Sequence, residues 1–400
     1  MSTVHTVVIG AGQAGLAMSR CLTDAGIEHV VLERGRTAER WRSVRWDSLR
    51  LLSPNWATRL PGWHYQGPEP DGFMTAAELA AYLGAYADSF GAPVEHDNDV
   101  ASVTRADGGF VVRTTRRTWH ARNLVVATGW CDQPRIPTIA ADLAADITQL
   151  TPDTYRNPGQ LPDGGVLVVG AGATGVQLAD ELAAAGRDVV LGAGRHSRML
   201  RRYRGMDIWW WLDRVGAFAV TTEEVPDPTE VRSEGSIQLV GRDDHRNVDL
   251  PALEAAGVQV TGRVTAIERH RVRVATDLVA TATAADERLG RLLGQIDDYV
   301  TAHGLDAEVL PATRPAPLST AGRPEQLDLA ARRIRTVVWA TGYRRPYPWL
   351  QVPALDGDGE IAQRRGVTAV DGLYVVGQRF QHRRDSNFID GVRHDAAYLA

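Results

Sequence analysis

The chain has 400 residues, 44% of them hydrophobic, and a formal net charge of −5. That length suggests about two to three domains with sizeable cores, and the acidic balance disfavours nucleic acid as a partner. Every basic residue is an arginine, which excludes Schiff-base chemistry, a P-loop lysine and a lysine general base.

Thr6–Ile9 reads as a short buried strand, apolar and bounded by glycine. Gly10, Gly12 and Gly15 follow as a G-x-G-x-x-G turn. A helix is expected over Ala14–Ala25, ended by Gly26 as a left-handed cap. Ile27–Leu32 is the second strand, and Glu33 closes it, eighteen residues past Gly15. Each residue type has a physical task at a dinucleotide. Gly10 allows the tight turn, Gly12 lets backbone approach a pyrophosphate, and Gly15 lets helix and strand pack closely. The free N–H groups of the helix start attract the phosphates, and a terminal carboxylate accepts ribose hydroxyls.

Trp41, Trp46, Trp56 and Trp63 fall within 23 residues of an arginine-rich stretch. Such rings anchor irregular backbone by burial; Trp41 and the turn Ser53–Pro54–Asn55–Trp56 are also placed to wall a planar cofactor. Thr75 should cap a helix Ala76–Phe90, with Glu78 completing a capping box. Alternating patterns predict strands at Val100–Arg105, Gly109–Thr115 and Thr118–Ala121, then a separate buried strand Asn123–Ala127 that ends at Thr128–Gly129. The Pro- and Gly-bearing stretch Tyr155–Gly165 reads as a linker and a domain boundary.

Gly170, Gly172 and Gly175 repeat the first motif at a shift of 160 residues. Ala173 and Thr174 would begin its helix, and Asp188–Leu191 its second strand. The residue matching Glu33 is Ala193, so no carboxylate stands there. Arg195 follows at once, with Arg198, Arg201, Arg202 and Arg204 beyond it. A carboxylate would repel a 2′-phosphate and an arginine would bind it, which points to NADPH at this second site. The alternatives are a solvated basic turn and, more remotely, a nucleic-acid patch. Met206–Leu212, with three tryptophans, is either a core helix or the lining of a pocket. Gln259–Ile267 and Arg271–Thr276 look like strands, Ala284–Ala302 like a helix, and Thr313–Gly322 like a Pro-rich loop. Thr336–Gly342 repeats the sense of the segment ending at Gly129. Gly372–Gly377 is one more buried strand, and a closing helix follows Phe388–Ile389.

Cys21 and Cys131 form no C-x-x-C pair, which argues against dithiol chemistry. The eleven histidines lack metal-site spacing, so no metal is expected. No G-x-S-x-G elbow is present. No apolar run is long enough to span a bilayer, and no basic segment precedes the first strand, so a cytoplasmic protein without membrane contact is expected.

These motifs resemble the two-dinucleotide-domain flavoproteins, and among them the single-component (group B) flavin-dependent monooxygenases that include the flavin-containing monooxygenases. The resemblance covers nearly the whole chain. GAGQAG with Glu33 looks like the FAD site and GAGATG with Arg195 like the NADPH site. Ala127–Gly129 and Ala340–Gly342 look like the two interdomain motifs, and Gly372–Gln378 like the last FAD strand. The family implies an α/β fold with two Rossmann-like domains. An NADPH domain (158–330) would be inserted into a discontinuous FAD domain (1–157 and 331–400). It implies transfer of one oxygen atom from O2, through a C4a-hydroperoxyflavin, to N, S or an electron-rich carbon of a small organic substrate. Carried over by resemblance, Gln13, Ala14, Arg34, Trp41, Ser53, Trp56, Val100, Thr128, Gly377 and Phe388 would attend FAD. His196, Arg201 and Thr341 would attend the nicotinamide dinucleotide. Asn55 would donate to the flavin peroxide as the catalytic residue.

One departure bears on the reaction. The monooxygenase fingerprint runs Phe-x-Gly-x-x-x-His-x-x-x-aromatic. Here Ala145, Ile147 and Thr151 stand at its Phe, Gly and His positions, and Tyr155 fills the aromatic one. A reductase or dehydrogenase that does not oxygenate therefore stays open, as does a non-catalytic FAD-binding protein. A homodimer is the default expectation.

Overall fold

The computed structural model describes residues 2–319 and 322–400. Two sheets organise them, one mixed about a parallel centre and one wholly parallel. The first is nine-stranded and centres on Ser2–Ile9, which lies between His29–Leu32 and Thr118–Val126. Leu373–Val375 adds in parallel on the far side of Thr118–Val126. Val7, Val8, Leu124 and Val126 are buried, as parallel strands covered on both faces must be. The helix Gln13–Asp24 covers one face with Leu16, Ala17, Met18 and Leu22, joined by Val392 and Ala396 of the last helix, Val392–Leu399.

The second sheet has five parallel strands, in the order Thr148–Leu150, Ile334–Trp339, Gly165–Val169, Val189–Ala193, Gln259–Gly262. Its covering helix is Ala173–Ala184. The α/β class with two Rossmann-like units is thus as expected, but the strands cross the expected boundaries. Thr148–Leu150 joins this sheet before residue 158, and Ile334–Trp339 still belongs to it after residue 330.

Several elements differ from the sequence reading for physical reasons. Thr118–Ala121 and Asn123–Ala127 form one strand, Thr118–Val126. No glycine or proline breaks it, and exposed Arg122 lets Ala121 and Leu124 both turn inward. Its first half pairs antiparallel with Gly109–Thr114, while its whole length runs parallel to Ser2–Ile9. Gln259–Ile267 is instead two strands. The chain bends at Gly262, where a Cβ would sit 1.9 Å from Ala275 O. Beyond the bend, Val264–Glu268 enters a three-stranded antiparallel sheet with Arg271–Val274 and Gln326–Asp328. The long helix begins at Leu278, six residues before the expected start, because Leu278, Ala282, Ala285 and Leu289 already form its buried stripe. Of the Pro-rich loop, residues 320 and 321 lie outside the described residues.

The helix Ala76–Ser89 starts as its sequence dictates. Glu78 N donates to Thr75 Oγ1 at 3.2 Å, and Thr75 N donates to Glu78 Oε2 at 2.8 Å, a complete capping box. A Thr75→Ala variant is expected to lose about 1 kcal/mol in urea unfolding.

Candidate active site

Both sheets present their functional residues at the carboxyl ends of their strands, where ligands of open α/β sheets bind. In the first sheet Ile9 pairs with Leu32 and Val126, and Val126 pairs with Val375. The four strand ends therefore lie in register and release Gly10, Glu33, Ala127–Gly129 and Val376–Gly377 at one edge. In the second sheet Val169 pairs with Gly192 and Trp339. That edge carries Gly170, Ala193–Arg195 and Ala340–Gly342.

The two glycine loops are built alike. Gly10 has φ +106 and Gly170 φ +109. A Cβ on Gly10 would meet Ala127 O at 2.7 Å, and one on Gly170 would meet Ala340 O at 2.4 Å. A Cβ on Gly15 would lie 1.8 Å from Gly10 O, and one on Gly175 1.7 Å from Gly170 O. Each Ala-Thr-Gly segment is thus the floor on which a glycine loop rests. Ala127 and Ala340 are small because the third glycine of each loop packs over their methyl groups. Gly377, with φ +82, seats the last strand of the first sheet against Ala14; a Cβ there would meet Ala14 Cβ at 2.6 Å.

The first loop fits a dinucleotide. A Cβ on Gly12 would have nothing within 4 Å, so the front of the loop is open, and the helix after it has no side-chain cap. Free amides at an open helix start are what a pyrophosphate takes up. Gln13 and Ala14 begin that helix. Glu33 is buried and held in place: Ala11 N donates to its Oε2 at 2.7 Å and Gly35 N to its Oε1 at 3.0 Å.

The second loop has the same frame and no carboxylate. Ala173 and Thr174 start its helix. Arg195 is exposed at the strand end, where its Nη2 donates to Ser233 O at 2.9 Å and Ser233 Oγ at 2.8 Å. His196 is buried with Nδ1 against Gly194 O at 2.8 Å, and burial pushes its pKa down. Thr341 Oγ1 donates to Arg135 O.

Other expected site residues have structural duties. Asn55 is buried: one N–H of Nδ2 donates to Glu69 O and Oδ1 accepts from Met74 N, each at 2.9 Å. It holds the turn that carries Trp56. Arg201 is fully buried, paired with Asp207, and donates to Leu52 O at 2.7 Å. It links Leu52 of the first unit to Asp207 of the second. Arg198 is ion-paired with Asp249 and Asp286, both at 2.7 Å. Arg204 pairs with Asp297 and Asp306, so the basic run is largely neutralised. Val100 starts the antiparallel strand Val100–Ala106 and pairs with Thr114 in the meander, two residues past Asn98, whose N donates to Glu33 O at 2.8 Å.

Trp41 packs half-buried on the first core with the Arg45 guanidinium 5.0 Å above its ring. Arg34 pairs with Asp132 at 3.3 Å, and Ser53 is half-buried in the turn before Trp56. Phe388 meets Trp209 at 5.6 Å and Phe218 at 5.8 Å between ring centres, with Trp56 packed against the same cluster. The helix Ile208–Arg214 is chiefly core, as buried Trp211 shows, and Trp209 is its contribution to this aromatic wall. Sequence reading missed Ser233, Ser236 and Gln238, which contact the second loop and its arginine from about 40 to 70 residues away; no local motif marks them.

Among the described residues no helix is long and apolar enough to cross a membrane, and no cluster of three metal-ligating side chains occurs.

The comparisons agree with this geometry. Residues 7–207 match the pyridine nucleotide-disulphide oxidoreductase family. An uncharacterized CzcO-like oxidoreductase of Geobacillus kaustophilus is 32% identical over 99% of this chain and 97% of its own length. The indole-3-pyruvate monooxygenase YUCCA1 of Oryza sativa subsp. japonica is 27% identical, over 93% of this chain and 86% of its own. The structure of a flavin-containing monooxygenase from Stenotrophomonas maltophilia superposes with a TM-score of 0.66, covering 100% of this chain and 97% of that one at 19% identity, a likeness of fold. With its two glycine loops at matched sheet edges, the chain belongs to the pyridine nucleotide-disulphide oxidoreductase family and is a flavin-dependent oxidoreductase of the two-dinucleotide-unit type.

Proposed function

We propose that the protein is an FAD- and NADPH-dependent monooxygenase that transfers one oxygen atom from O2 to a small organic substrate. One observation carries this reading: two loops of equal geometry end in unlike groups, buried Glu33 at the first and exposed Arg195 at the second. A carboxylate suits the unphosphorylated ribose of FAD, and a guanidinium suits the 2′-phosphate of NADPH. The expected FAD-binding parts, 1–157 and 331–400, then flank an NADPH-binding insertion, with strands exchanged at both joins.

When bound, the flavin accepts hydride and activates oxygen. The chain's own residues position and shield. The first loop offers its helix-start amides to the pyrophosphate, Glu33 accepts from the ribose, and Gly377 keeps the last strand tight on the helix start. Trp56, Trp209, Phe218 and Phe388 make an apolar wall that excludes water and favours an apolar or aromatic substrate. Disulphide chemistry does not fit. Cys21 and Cys131 sit on separate elements, burial pushes the Cys21 thiol up to about 11, and burial raises the Cys131 thiol as well.

The rice relative's indole-3-pyruvate monooxygenase activity supports oxygenation. Thr151 favours the second reading, a reductase that does not oxygenate. It stands at the fingerprint's histidine position and only holds a turn, its carbonyl accepting from Thr154 N and Tyr155 N. Anaerobic NADPH is expected to bleach the bound flavin. Exposure to 18O2 with a panel of small amines, sulfides and ketones is then expected to label a product. Bleaching with hydrogen peroxide as the sole oxygen product across the panel would establish the reductase instead. Failure to bleach would mean that the second loop is misread.

A further inference from the structure

A strap of chain crosses the second glycine loop. It leaves the short helix Pro228–Ser233 and runs along residues 233–239 over the carboxyl edge of the second sheet. Ala173 N, the first helical amide after Gly172, donates to Ser236 Oγ at 2.9 Å. The hydroxyl fills the front of the loop: a Cβ on Gly172 would lie 2.9 Å from Ser236 Oγ, whereas one on Gly12, at the matching place in the first loop, would have nothing within 4 Å. Gln238 Nε2 donates to Ala171 O at 2.8 Å, and Gln177 Nε2 to Leu239 O at 2.8 Å. Gln238 N donates to Ser197 O at 3.0 Å, which lays the strap along the turn that follows Arg195. Arg195 itself is held by Ser233 through both its carbonyl and its hydroxyl.

We propose that this strap is a built-in competitor of NADPH, in which Ser236 occupies the pyrophosphate's place on the loop and Ser233 the 2′-phosphate's place on Arg195. The proposal rests on the NADPH reading above. A dinucleotide enters by exchanging two neutral hydroxyls for phosphate oxygens. Phosphate is the stronger acceptor both at a helix start and at a guanidinium, so the exchange runs toward the bound state. The closed strap also carries its own penalty. Gln238 is fully buried, and its Oε1 has no hydrogen-bond partner among the described residues. The observed affinity is then the intrinsic affinity scaled by the fraction of open strap.

The two latches act on different parts of the ligand. Both NADPH and NADH carry the pyrophosphate, so Ser236 weakens both. Only NADPH carries the 2′-phosphate, so Ser233 weakens NADPH alone and narrows the preference between the two.

The test is titration of the FAD-loaded protein with NADP+ and with NAD+, followed by calorimetry or by perturbation of the flavin spectrum. Ser236→Ala removes one hydrogen bond and is expected to tighten both ligands by about three- to tenfold. Ser233→Ala keeps the carbonyl contact and is expected to tighten NADP+ alone, by about twofold. In the wild type, NADP+ is expected to speed amide hydrogen exchange across residues 233–239. Weaker NADP+ binding by Ser236→Ala would make Ser236 a direct ligand. Slower exchange with NADP+ would make the strap a cover that closes on the ligand. Either result overturns the competitor and leaves the NADPH site standing. A wild type that binds neither dinucleotide overturns the proposed function, and the competitor with it.

Discussion

A Gly175→Ala variant is expected to purify yellow, with FAD bound, and to lose reduction by NADPH by about a hundredfold. The added Cβ would fall 1.7 Å from Gly170 O and 2.8 Å from Gly170 C. Both are backbone atoms of a loop that already rests on Ala340, so no side chain can swing away. The loop or the helix start must move by an ångström or more, and a displacement of that size at a positioning element costs about 10²-fold in rate. Overpacking adds about 1–3 kcal/mol of destabilisation. The first loop shares no atom with this collision, which is why the flavin stays. Gly15→Ala, with its Cβ 1.8 Å from Gly10 O, should instead give protein without flavin. Gly12→Ala separates folding from binding: Gly12 has φ −85 and open space around it, so the variant should fold normally and bind FAD weakly. Anaerobic stopped-flow reduction of Gly175→Ala decides the matter. A wild-type rate would remove the second loop from the reaction.

What could be read from the sequence was what neighbours in the chain decide. Thr6 to Glu33 specify strand, turn, helix, strand and terminal carboxylate within one short span, and each of those elements is in place. Thr75 and Glu78 cap their helix because capping is a contact across three residues. The two Ala-Thr-Gly segments were visible as repeats, but their task was not. That Ala127 O lies under Gly10 depends on a parallel pairing across more than a hundred residues. The strand Ile334–Trp339 reads like any buried strand, and nothing local says which of two sheets receives it. The strap was invisible for the same reason. Ser236 lies in a Ser-Glu-Gly-Ser stretch that looks like an ordinary turn, and its partner Ala173 is 63 residues away. Asn55 shows a second kind of limit: a polar residue beside an aromatic in a predicted cofactor wall suggests chemistry, and only the fold shows that the same amide also ties Glu69 O and Met74 N together.

Arg201→Ala is expected to lower stability by about 3–5 kcal/mol, the cost of leaving one partner of a buried ion pair alone. A melting temperature lower by roughly 4–6 °C would follow for a chain of this length. The arginine is fully buried, stacks 4.9 Å over the Phe73 ring, donates to Leu52 O and pairs with Asp207. Burial pulls its pKa down while Asp207 opposes that shift, as expected of a cation kept charged in the interior by one carboxylate. Asp207 also accepts from Trp209 N at 2.8 Å and so caps the helix Ile208–Arg214. Removing the arginine therefore strands a charge at the start of the helix that supplies Trp209 to the aromatic wall. A paired Arg201→Met, Asp207→Asn variant removes both charges and keeps the cap, and it should recover most of the loss. This separates joint from ligand. As a joint, Arg201 can be replaced in that pair with NADP+ affinity unchanged. As a phosphate ligand, its loss would weaken NADP+ while the melting temperature held. Arg195→Ala should behave in this second way, because Arg195 is exposed and its side chain, among the described residues, hydrogen-bonds to Ser233 alone. The two arginines stand six residues apart in one basic run, one buried and one exposed, and the two variants should therefore part in opposite directions, Arg201→Ala in melting temperature and Arg195→Ala in NADP+ affinity.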